Sequence, residues 1–393
     1  MFLNACNARV LNLQLYIRNA AGEDMTLTQE MVNGVRQVDS SGVPIMVPTN
    51  STGPEMIQIG NEAGFLFAPA VFDTTARPIG YDLTGGPVGN TPPTNSRYGN
   101  ANRYNLLLGG AERADVLIDF NGLSVGTKLI LYSDAPAPFP AGDNRNDYFF
   151  GQPDLSSPAI GGNAGPAAAD AHGPNGYGPN SRTLMQIEIV VPKSSADMPR
   201  AQMMTILTQQ LRTQTTSLGG INSAPIRDLT LNEDFDQFGR LVQMIGTDTK
   251  LTPASPTFGR LYADPPTELV TRGTKEIWRI WNMTADTHPI HFHLVNVQVL
   301  GRAQFDGVNP HTEVPGTFKP ADANENGWKE TVRMNPGEVI YLIMKFELPI
   351  TPFVVPGSPR LAAMGFPNAH EYVYHCHILE HEEHDMMRTV VFT

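Results

Sequence analysis

Apolar and polar residues alternate over short segments along most of this sequence. Five such segments cover residues 113–120, 129–132, 184–191, 276–281 and 338–346. Alternation with a period of two is typical of strands with one buried face, and glycine, proline, asparagine and aspartate separate the segments, as in turns. Helical periodicity is confined to short stretches such as residues 203–211. The pattern therefore predicts an all-β protein built from antiparallel sandwiches.

The strand pattern divides the sequence into two halves of similar size. We predict a first domain over residues 1–196 and a second over residues 197–393, joined by a linker near residues 192–199. A weak internal repeat supports this division, because Glu112 and Glu338 each precede by eight residues a phenylalanine that ends a predicted strand. Residues 135–181 are rich in proline, glycine, alanine and asparagine, which predicts a surface insertion.

Composition and charge exclude several classes of protein. The 36 glycines and 33 prolines argue against long helical bundles, and the hydrophobic fraction of 41% argues against general disorder. The net charge of −12 disfavours a nucleic-acid partner. No apolar run approaches the roughly 18–20 residues of a membrane span. The first residues predict the end of one strand and then a second strand, so we expect that an N-terminal segment precedes this sequence.

Histidines are concentrated in two short clusters near the C-terminus. Seven of the ten histidines lie within residues 288–293 and 375–384. Alternate residues of a strand face the same side, so His291 and His293 share a face, as do His375 and His377, whereas Cys376 points to the opposite side. One strand therefore presents two imidazoles to one site and a thiolate to another. A short covalent path joins the two sites, which favours electron transfer between two metal centres.

The single cysteine of these clusters favours copper as the metal. Two imidazoles and one thiolate with a weak axial methionine form the blue-copper ligand set. Cys376, His381 and Met386 follow one another at intervals of five residues, and a strand leading into a turn returns the later two toward the sulfur. Pro289 is expected to break the strand before the paired histidines, so that His288 offers the second imidazole. Structural zinc sites commonly use several cysteines, which makes zinc the weaker alternative.

The segments HPIHFH at residues 288–293 and HCHILEHEEHDMM at 375–387 resemble the two C-terminal copper motifs of the multicopper oxidases. The likeness is strongest to the branch of spore-coat laccase, bilirubin oxidase and phenoxazinone synthase. Residues 2–5, 111–116, 327–332 and 336–338 resemble further family segments. The resemblance implies tandem cupredoxin-like Greek-key β-sandwich domains. It also implies a laccase-type oxidoreductase that takes single electrons from phenolic or aromatic-amine donors and reduces dioxygen to water, in an extracytoplasmic or spore-coat location.

The resemblance also assigns each candidate ligand to a copper ion. It implies a type 1 copper held by His288, Cys376 and His381 with axial Met386, a type 2 copper on His291, and a type 3 pair on His293, His375 and His377. Electrons then pass from the substrate to the type 1 copper and through Cys376 to the flanking histidines. Glu382 matches the acidic residue that helps to deliver protons in this branch. The equally weighted alternative for Glu382 is a solvated surface acid.

The sequence departs from the family pattern in its number of paired histidines. The family's trinuclear cluster uses four His-x-His pairs, whereas this sequence contains two. The other histidines, His172, His311, His370 and His384, are isolated. The resemblance therefore implies that this chain supplies half of the cluster ligands, and that a missing N-terminal domain or another chain supplies the rest. The alternative is a type 1 copper electron-transfer or copper-binding module without oxidase activity.

Overall fold

The chain folds as two consecutive β-sandwiches. The computed structural model describes residues 1–19, 25–37, 46–82, 100–137, 139–140, 182–191 and 198–393. These residues form 26 strands and three helices. The predicted all-β class and tandem sandwich architecture are therefore confirmed. The predicted domain boundary at residues 196 and 197, and nearly all of the predicted insertion, lie outside the described residues.

The first sandwich consists of two four-stranded antiparallel sheets. One sheet has the order β1 (Phe2–Leu3), β12 (Arg113–Ile118), β7 (Met56–Asn61) and β8 (Gly64–Phe72). The other has the order β11 (Leu106–Leu108), β2 (Leu11–Ile17), β13 (Lys128–Ser133) and β14 (Thr183–Glu188). Leu11, Leu13 and Leu15 alternate along β2 and pack in the core with Met56 and Ala114. Asn12, Gln14 and Tyr16 between them are buried as well, so β2 is buried on both faces and the alternation marks only its apolar core face.

Smaller elements flank this first sandwich. Three two-stranded sheets pair β3 (Leu27–Gln29) with β6 (Met46–Pro48), β4 (Met31–Val32) with β5 (Val35–Arg36), and β9 (Gly80–Asp82) with β10 (Asn100–Arg103). Helix α1 (Arg200–Gln214) is longer than the predicted stretch and packs against β8. After its C-terminus, the Thr215 hydroxyl donates to the carbonyls of Phe65 and Leu66, both at 3.2 Å. The helix is therefore attached to the first sandwich.

The second sandwich pairs a seven-stranded sheet with a five-stranded sheet. The larger has the order β17 (Gly259–Arg260), β16 (Leu241–Thr247), β15 (Ile226–Phe235), β19 (Lys275–Asn282), β24 (Glu338–Lys345), β21 (Val297–Gln304) and β22 (Lys319–Pro320). The smaller has the order β18 (Glu268–Val270), β26 (Met387–Phe392), β25 (His370–Cys376), β20 (His288–Phe292) and β23 (Thr331–Met334). Two pairs, β15–β19 and β18–β26, are parallel. The expectation of antiparallel sheets is therefore wrong for these two pairs. Between β15 and β19 in the sequence, the chain passes through the smaller sheet as β18, and β19 returns to the larger sheet parallel to β15.

Strands β20 and β25 carry the histidine clusters side by side. Their antiparallel register places Ile290 opposite Cys376 and His291 opposite His375. Helix α3 (Leu379–Glu383) follows β25 directly, and helix α2 (Pro359–Ala363) precedes it. The prediction that Pro289 breaks the strand is wrong, because Pro289 lies inside β20. Its carbonyl accepts the N–H of His377 at 2.7 Å, which pairs the one backbone group that proline can offer to the sheet.

A buried group of charged side chains joins the two sandwiches. This interdomain ion network consists of Glu62, Glu112, Arg302, Glu325, Lys329, Arg333 and Glu338. Lys329 Nζ lies 3.2 Å from Glu62 and 3.0 Å from Glu112, and Arg333 Nε lies 3.1 Å from Glu112. Arg302 donates to both oxygens of Glu325 at 2.6 and 2.8 Å.

No helix within the described ranges has the length and apolar character needed to cross a membrane.

Candidate metal centre

Three potential ligand atoms converge inside the second sandwich, where β20, β25 and α3 meet. Nδ1 of His288 lies 3.1 Å from Nδ1 of His381, and Sγ of Cys376 lies 3.6 and 3.7 Å from these nitrogens. All three residues are buried. Ligand atoms bound at about 2.0–2.3 Å, with angles of roughly 100–120° between the bonds, lie about 3.1–3.8 Å apart. The triangle, called here the trigonal set, therefore fits a single metal ion.

Burial keeps the trigonal set in its neutral form. It lowers the pKa of His288 well below the usual value, and His381 adds to that shift. It lowers the pKa of His381 to about 4, against a small opposing effect of Glu380. Burial also raises the pKa of the Cys376 thiol far above its usual value. Both imidazoles are therefore uncharged at neutral pH, each with one nitrogen lone pair, and the thiol must lose its proton when a metal binds.

Thr284 fixes the orientation of His288, a role that the sequence reasoning missed. Its hydroxyl donates to Asn282 Oδ1 at 2.8 Å and lies 2.6 Å from His288 Nε2. Since the hydroxyl proton is used on Asn282, the oxygen accepts the N–H of Nε2, and Nδ1 is left without a proton. Such a contact selects the tautomer that can bind a metal through Nδ1.

Met386 lies on the turn that closes this site. Its side chain is buried, its N–H donates to the His381 carbonyl at 3.0 Å, and its carbonyl accepts the N–H of Cys376 at 2.9 Å. Asp385, immediately before it, has a left-handed backbone with φ of +69°. These contacts tie Met386 to two members of the trigonal set. Its role as an axial ligand stays a prediction.

The four other predicted histidines gather on the opposite face of the β20–β25 pair. Ligand nitrogens of His291, His293 and His375 all lie within 4.8 Å of one another, and Nε2 of His293 is 3.2 Å from Nε2 of His375. The His377 ring centroid lies 5.9 Å from that of His291 and 5.7 Å from that of His375. His291 Nδ1 lies 2.9 Å from the Thr331 hydroxyl, which leaves its Nε2 for a metal. This group is called here the histidine face.

Glu382 contacts the histidine face from α3. Its Oε2 lies 3.2 Å from Nδ1 of His375, which also lies 3.1 Å from the carbonyl of Cys376. Two oxygen neighbours identify Nδ1 as the protonated nitrogen, so that Nε2 of His375 is available to a metal. The Glu382 side chain is 34% exposed. It therefore reaches both solvent and the histidine face, and its proton-relay role stays a prediction.

Two half-buried carboxylates beside the trigonal set, Glu233 and Asp286, were not found by sequence reasoning. Burial, with a contribution from Asp286, raises the pKa of Glu233 to about 7, and burial raises the pKa of Asp286 to about 6. Both add to the upward shift of the Cys376 pKa. Asp286 could have been noticed two residues before His288, whereas nothing in the sequence around Glu233 marks it.

A third group of potential ligand atoms, from Asp228, Asp248 and His311, lies on the larger sheet. Arg279 donates to both oxygens of Asp228, at 2.6 and 2.8 Å. His311 Nε2 lies 3.0 Å from Asp248. Arg279 already pairs with Asp228, and His311 with Asp248, so this group is a surface ion-pair cluster.

A family model described as multicopper oxidase matches residues 241–354 and 350–393. Over residues 241–393 the chain is therefore similar to a multicopper oxidase domain. This domain contains all the predicted copper ligands, and copper is the cofactor that such domains take. The trigonal set, with one thiolate and two imidazoles, is chemically suited to that metal.

Curated relatives match part of the chain and are longer than it. The laccase of Bacillus subtilis (strain 168) is 36% identical over 172 residues, which cover 43% of this chain and 28% of the laccase. The multicopper oxidase LPR1 homolog 3 of Oryza sativa subsp. japonica is 28% identical over 305 residues, covering 72% of this chain and 49% of the relative. The chain thus spans about half or less of the length of these relatives.

Solved multicopper oxidase structures resemble the chain only distantly. One from Campylobacter jejuni, described as a metallo-oxidase, is 15% identical with a TM-score of 0.49, covering 99% of this chain and 52% of that one. One from Aquifex aeolicus is 16% identical with a TM-score of 0.49, covering 98% and 53%. Both alignments include the multicopper oxidase domain.

Proposed function

We propose that this chain contributes to a copper oxidase that takes single electrons from phenolic or aromatic-amine donors and reduces dioxygen to water. The trigonal set is the proposed type 1 copper site. The histidine face is proposed to bind the type 2 copper through His291 and the type 3 pair through His293, His375 and His377. Bound copper would supply the one-electron redox chemistry.

The observation that carries the proposal is the arrangement of two ligand sets on opposite faces of one strand pair. Cys376 belongs to the trigonal set, and its sequence neighbours His375 and His377 belong to the histidine face. The Cys376 sulfur is therefore joined to both imidazoles through a few covalent bonds. A module that only stored copper would not require this direct connection.

The surrounding residues supply proton handling at the histidine face. We propose that Glu382, which contacts His375 and is partly exposed, moves protons between solvent and the place where dioxygen is reduced. His375 keeps its Nδ1 proton between Glu382 and the Cys376 carbonyl, and so presents Nε2 to the metal. The expected effect of Glu382→Gln is a lower turnover with an unchanged type 1 absorption.

The histidine face presents four imidazoles, which we propose are half of the ligands of the oxygen-reducing cluster. A further domain or another chain is proposed to supply the remaining histidine pairs. The second candidate function is a type 1 electron-transfer module without oxidase activity. The clustering of four histidines on a separate face favours the oxidase, because an electron-transfer module needs only the trigonal set.

Copper binding by a variant that lacks the trigonal set separates these two functions. In Cys376→Ser, the oxidase proposal predicts copper binding at the histidine face, and the further substitution of His293 and His375 by alanine is expected to remove it. Absence of such binding would favour the electron-transfer module. Sustained oxygen uptake by the 393-residue chain alone would refute only the half-cluster proposal.

The donor is tested by comparing substrates once turnover is available. Oxygen uptake with a phenol, an aromatic diamine, Cu(I) and Mn(II) ranks the candidates. A response to the two metal ions alone would overturn the proposed organic donor. The extracytoplasmic or spore-coat location implied by the family resemblance stays a proposal, which localisation of the tagged protein in its native cells would test.

A further inference from the structure

Residues 377–380 connect two members of the trigonal set, Cys376 and His381. At the ends of this connection, the His377 N–H donates to Pro289 and the His381 N–H donates to the carbonyl of Ile378. Within the connection Ile378 is buried in the hydrophobic core, whereas Leu379 is 54% exposed and has no such apolar anchor. The start of α3 at Leu379 is therefore held by polar contacts rather than by burial of its own side chain.

The side-chain amide of Asn7, in the first sandwich, makes these central contacts. Its Oδ1 accepts the N–H of Leu379 at 2.8 Å, and its Nδ2 donates to Oε1 of Glu380 at 2.7 Å. Leu379 is the first residue of α3, and the N-cap residue Ile378 provides no side-chain hydrogen bond. Asn7 thus supplies from the other sandwich the acceptor that a helix N-terminus usually finds in its own N-cap side chain.

The segment that carries Asn7 is itself fixed to the first sandwich. Asn4 Nδ2 donates to the carbonyls of Arg9 and Leu108 at 2.8 and 2.9 Å, and Asn4 Oδ1 accepts the N–H of Cys6 at 3.0 Å. At Gly110, a Cβ atom would lie 3.5 Å from both the Cys6 and the His377 carbonyl oxygens. The two sandwiches are therefore in close backbone contact beside Asn7. The segment's own hydrogen bonds place the Asn7 amide next to the start of α3.

We propose that Asn7 is a positioning residue for the trigonal set. Its amide fixes the centre of the 377–380 connection, and thereby holds His381 against Cys376 and His288. The first sandwich would then influence how tightly the metal is retained, although all members of the trigonal set lie in the second sandwich. Contacts behind the ligands commonly have such an effect on metal affinity. The inference rests on the proposed function, because it takes the trigonal set to be the type 1 copper site.

Three variants isolate the two hydrogen bonds of the Asn7 amide. Asn7→Asp keeps an acceptor for Leu379 but places a carboxylate against that of Glu380. Adding Glu380→Gln to Asn7→Asp restores a hydrogen bond between the two side chains. The amide introduced at position 380 then donates to the carboxylate introduced at position 7, which is the reverse of the original direction. Asn7→Ala removes both hydrogen bonds without adding charge. The matched control is Asn309→Asp, because Asn309 Nδ2 donates to Asp306 at 3.1 Å in an exposed loop and thus creates the same repulsion elsewhere.

The copper-loaded proteins are compared by their visible absorption and by the rate of copper transfer to a chelator. The thermal midpoints of the copper-free proteins are measured alongside. Asn7→Asp and Asn7→Ala are expected to release copper on the order of tenfold faster and to shift the visible band. The double variant with Glu380→Gln is expected to recover most of the loss. The control is expected to match the original protein.

Unchanged release and absorption in Asn7→Asp and Asn7→Ala would overturn the inference, as would a lowered thermal midpoint without a spectral change. The inference would also be contradicted if adding Glu380→Gln to Asn7→Asp failed to restore the original rate of copper release and the original visible band. If Asn7→Asp does not fold, Asn7→Ala decides the question. If the unsubstituted protein develops no thiolate-to-copper absorption, the proposed function fails. If that absorption is present and the variants match it, this inference alone fails.

Discussion

Two buried polar regions, the interdomain ion network between the sandwiches and the trigonal set inside the second, offset the energetic cost of burial in opposite ways. In the interdomain ion network, every carboxylate faces a lysine or an arginine. Burial alone raises the pKa of Glu325, but Arg302 and Arg333 outweigh it and hold that pKa well below its usual value. In the trigonal set, burial outweighs every other effect, and all three ligand groups are neutral.

The difference shows which region stabilises the fold and which is prepared for a cation. The four carboxylates of the network face three cations: burial raises the pKa of Glu338 to about 7, and protein groups compensate the other charges, so loss of one partner leaves another buried and unpaired. The ligand atoms of the trigonal set lie 3.1–3.7 Å from one another, and a cation between them would contact all three. We therefore expect substitutions in the two regions to have opposite consequences for the copper-free and copper-loaded states.

The largest expected effect on folding comes from removing Glu112. Its carboxylate contacts both Lys329 and Arg333, which are buried. Glu112→Gln is expected to lower the free energy of unfolding by about 3–5 kcal/mol, because two buried cations lose a shared partner. Denaturant unfolding of the copper-free protein measures the change.

The matched control for this prediction is a partly exposed pair. Lys128 lies 3.7 Å from Glu188 between two neighbouring strands of the first sandwich. Glu188→Gln is expected to cost less than about 1 kcal/mol, because water screens the charges. Equal losses for the two substitutions would mean that the network is not the stabilising element described here.

Replacing a ligand of the trigonal set is expected to have a different effect. His288→Leu removes a buried, uncharged polar group, so the unfolding free energy of the copper-free protein is expected to change by less than about 1 kcal/mol. The same substitution is expected to abolish the part of the copper-dependent stabilisation that comes from the trigonal set, which is about 4 kcal/mol when free copper is a thousandfold above the dissociation constant of that site. Thermal unfolding with and without copper measures both quantities. A large loss in the copper-free protein would contradict this account.

Acid is expected to destabilise the copper-free protein through the buried imidazoles. The pKa of His381 is lowered to about 4, whereas a histidine in the unfolded chain has a pKa of about 6.5. The unfolded state therefore binds more protons between these values, and stability falls as the pH drops from about 6.5 toward 4. The expected loss is roughly 1–3 kcal/mol. Unfolding of His381→Leu should show a flatter pH dependence over this window, and an unchanged slope would contradict the assignment.

Much of the fold followed from local sequence patterns. Alternation along residues 276–281 and 338–346 predicted strands that the structure contains as β19 and β24. The parallel pairing of β15 with β19 was not predictable, because it depends on how the chain crosses between sheets. The strand break expected at Pro289 does not occur, because its carbonyl can accept a sheet hydrogen bond even though the residue has no N–H.

The candidate site was visible in sequence where chemistry and spacing coincide within a few residues. The His-x-His pairs and Cys376 combine metal-binding side chains with the spacing of a strand, and the structure brings them to two faces of one strand pair. Groups that act from a distance left no such signal. Asn7 contacts α3 from 372 residues away, and Glu233 reaches the site only through the register of β15 and β16. Both depend on tertiary packing, which residue spacing does not encode.

The most direct test of the central claim is the visible absorption of the chain during titration with Cu(II). A trigonal set completed by the Cys376 thiolate predicts an intense band that grows to saturation, is lost in Cys376→Ser, and persists in the control Cys6→Ser. A protein that stays colourless while Cys376 is intact and reduced would contradict the claim. So would an unchanged band in Cys376→Ser.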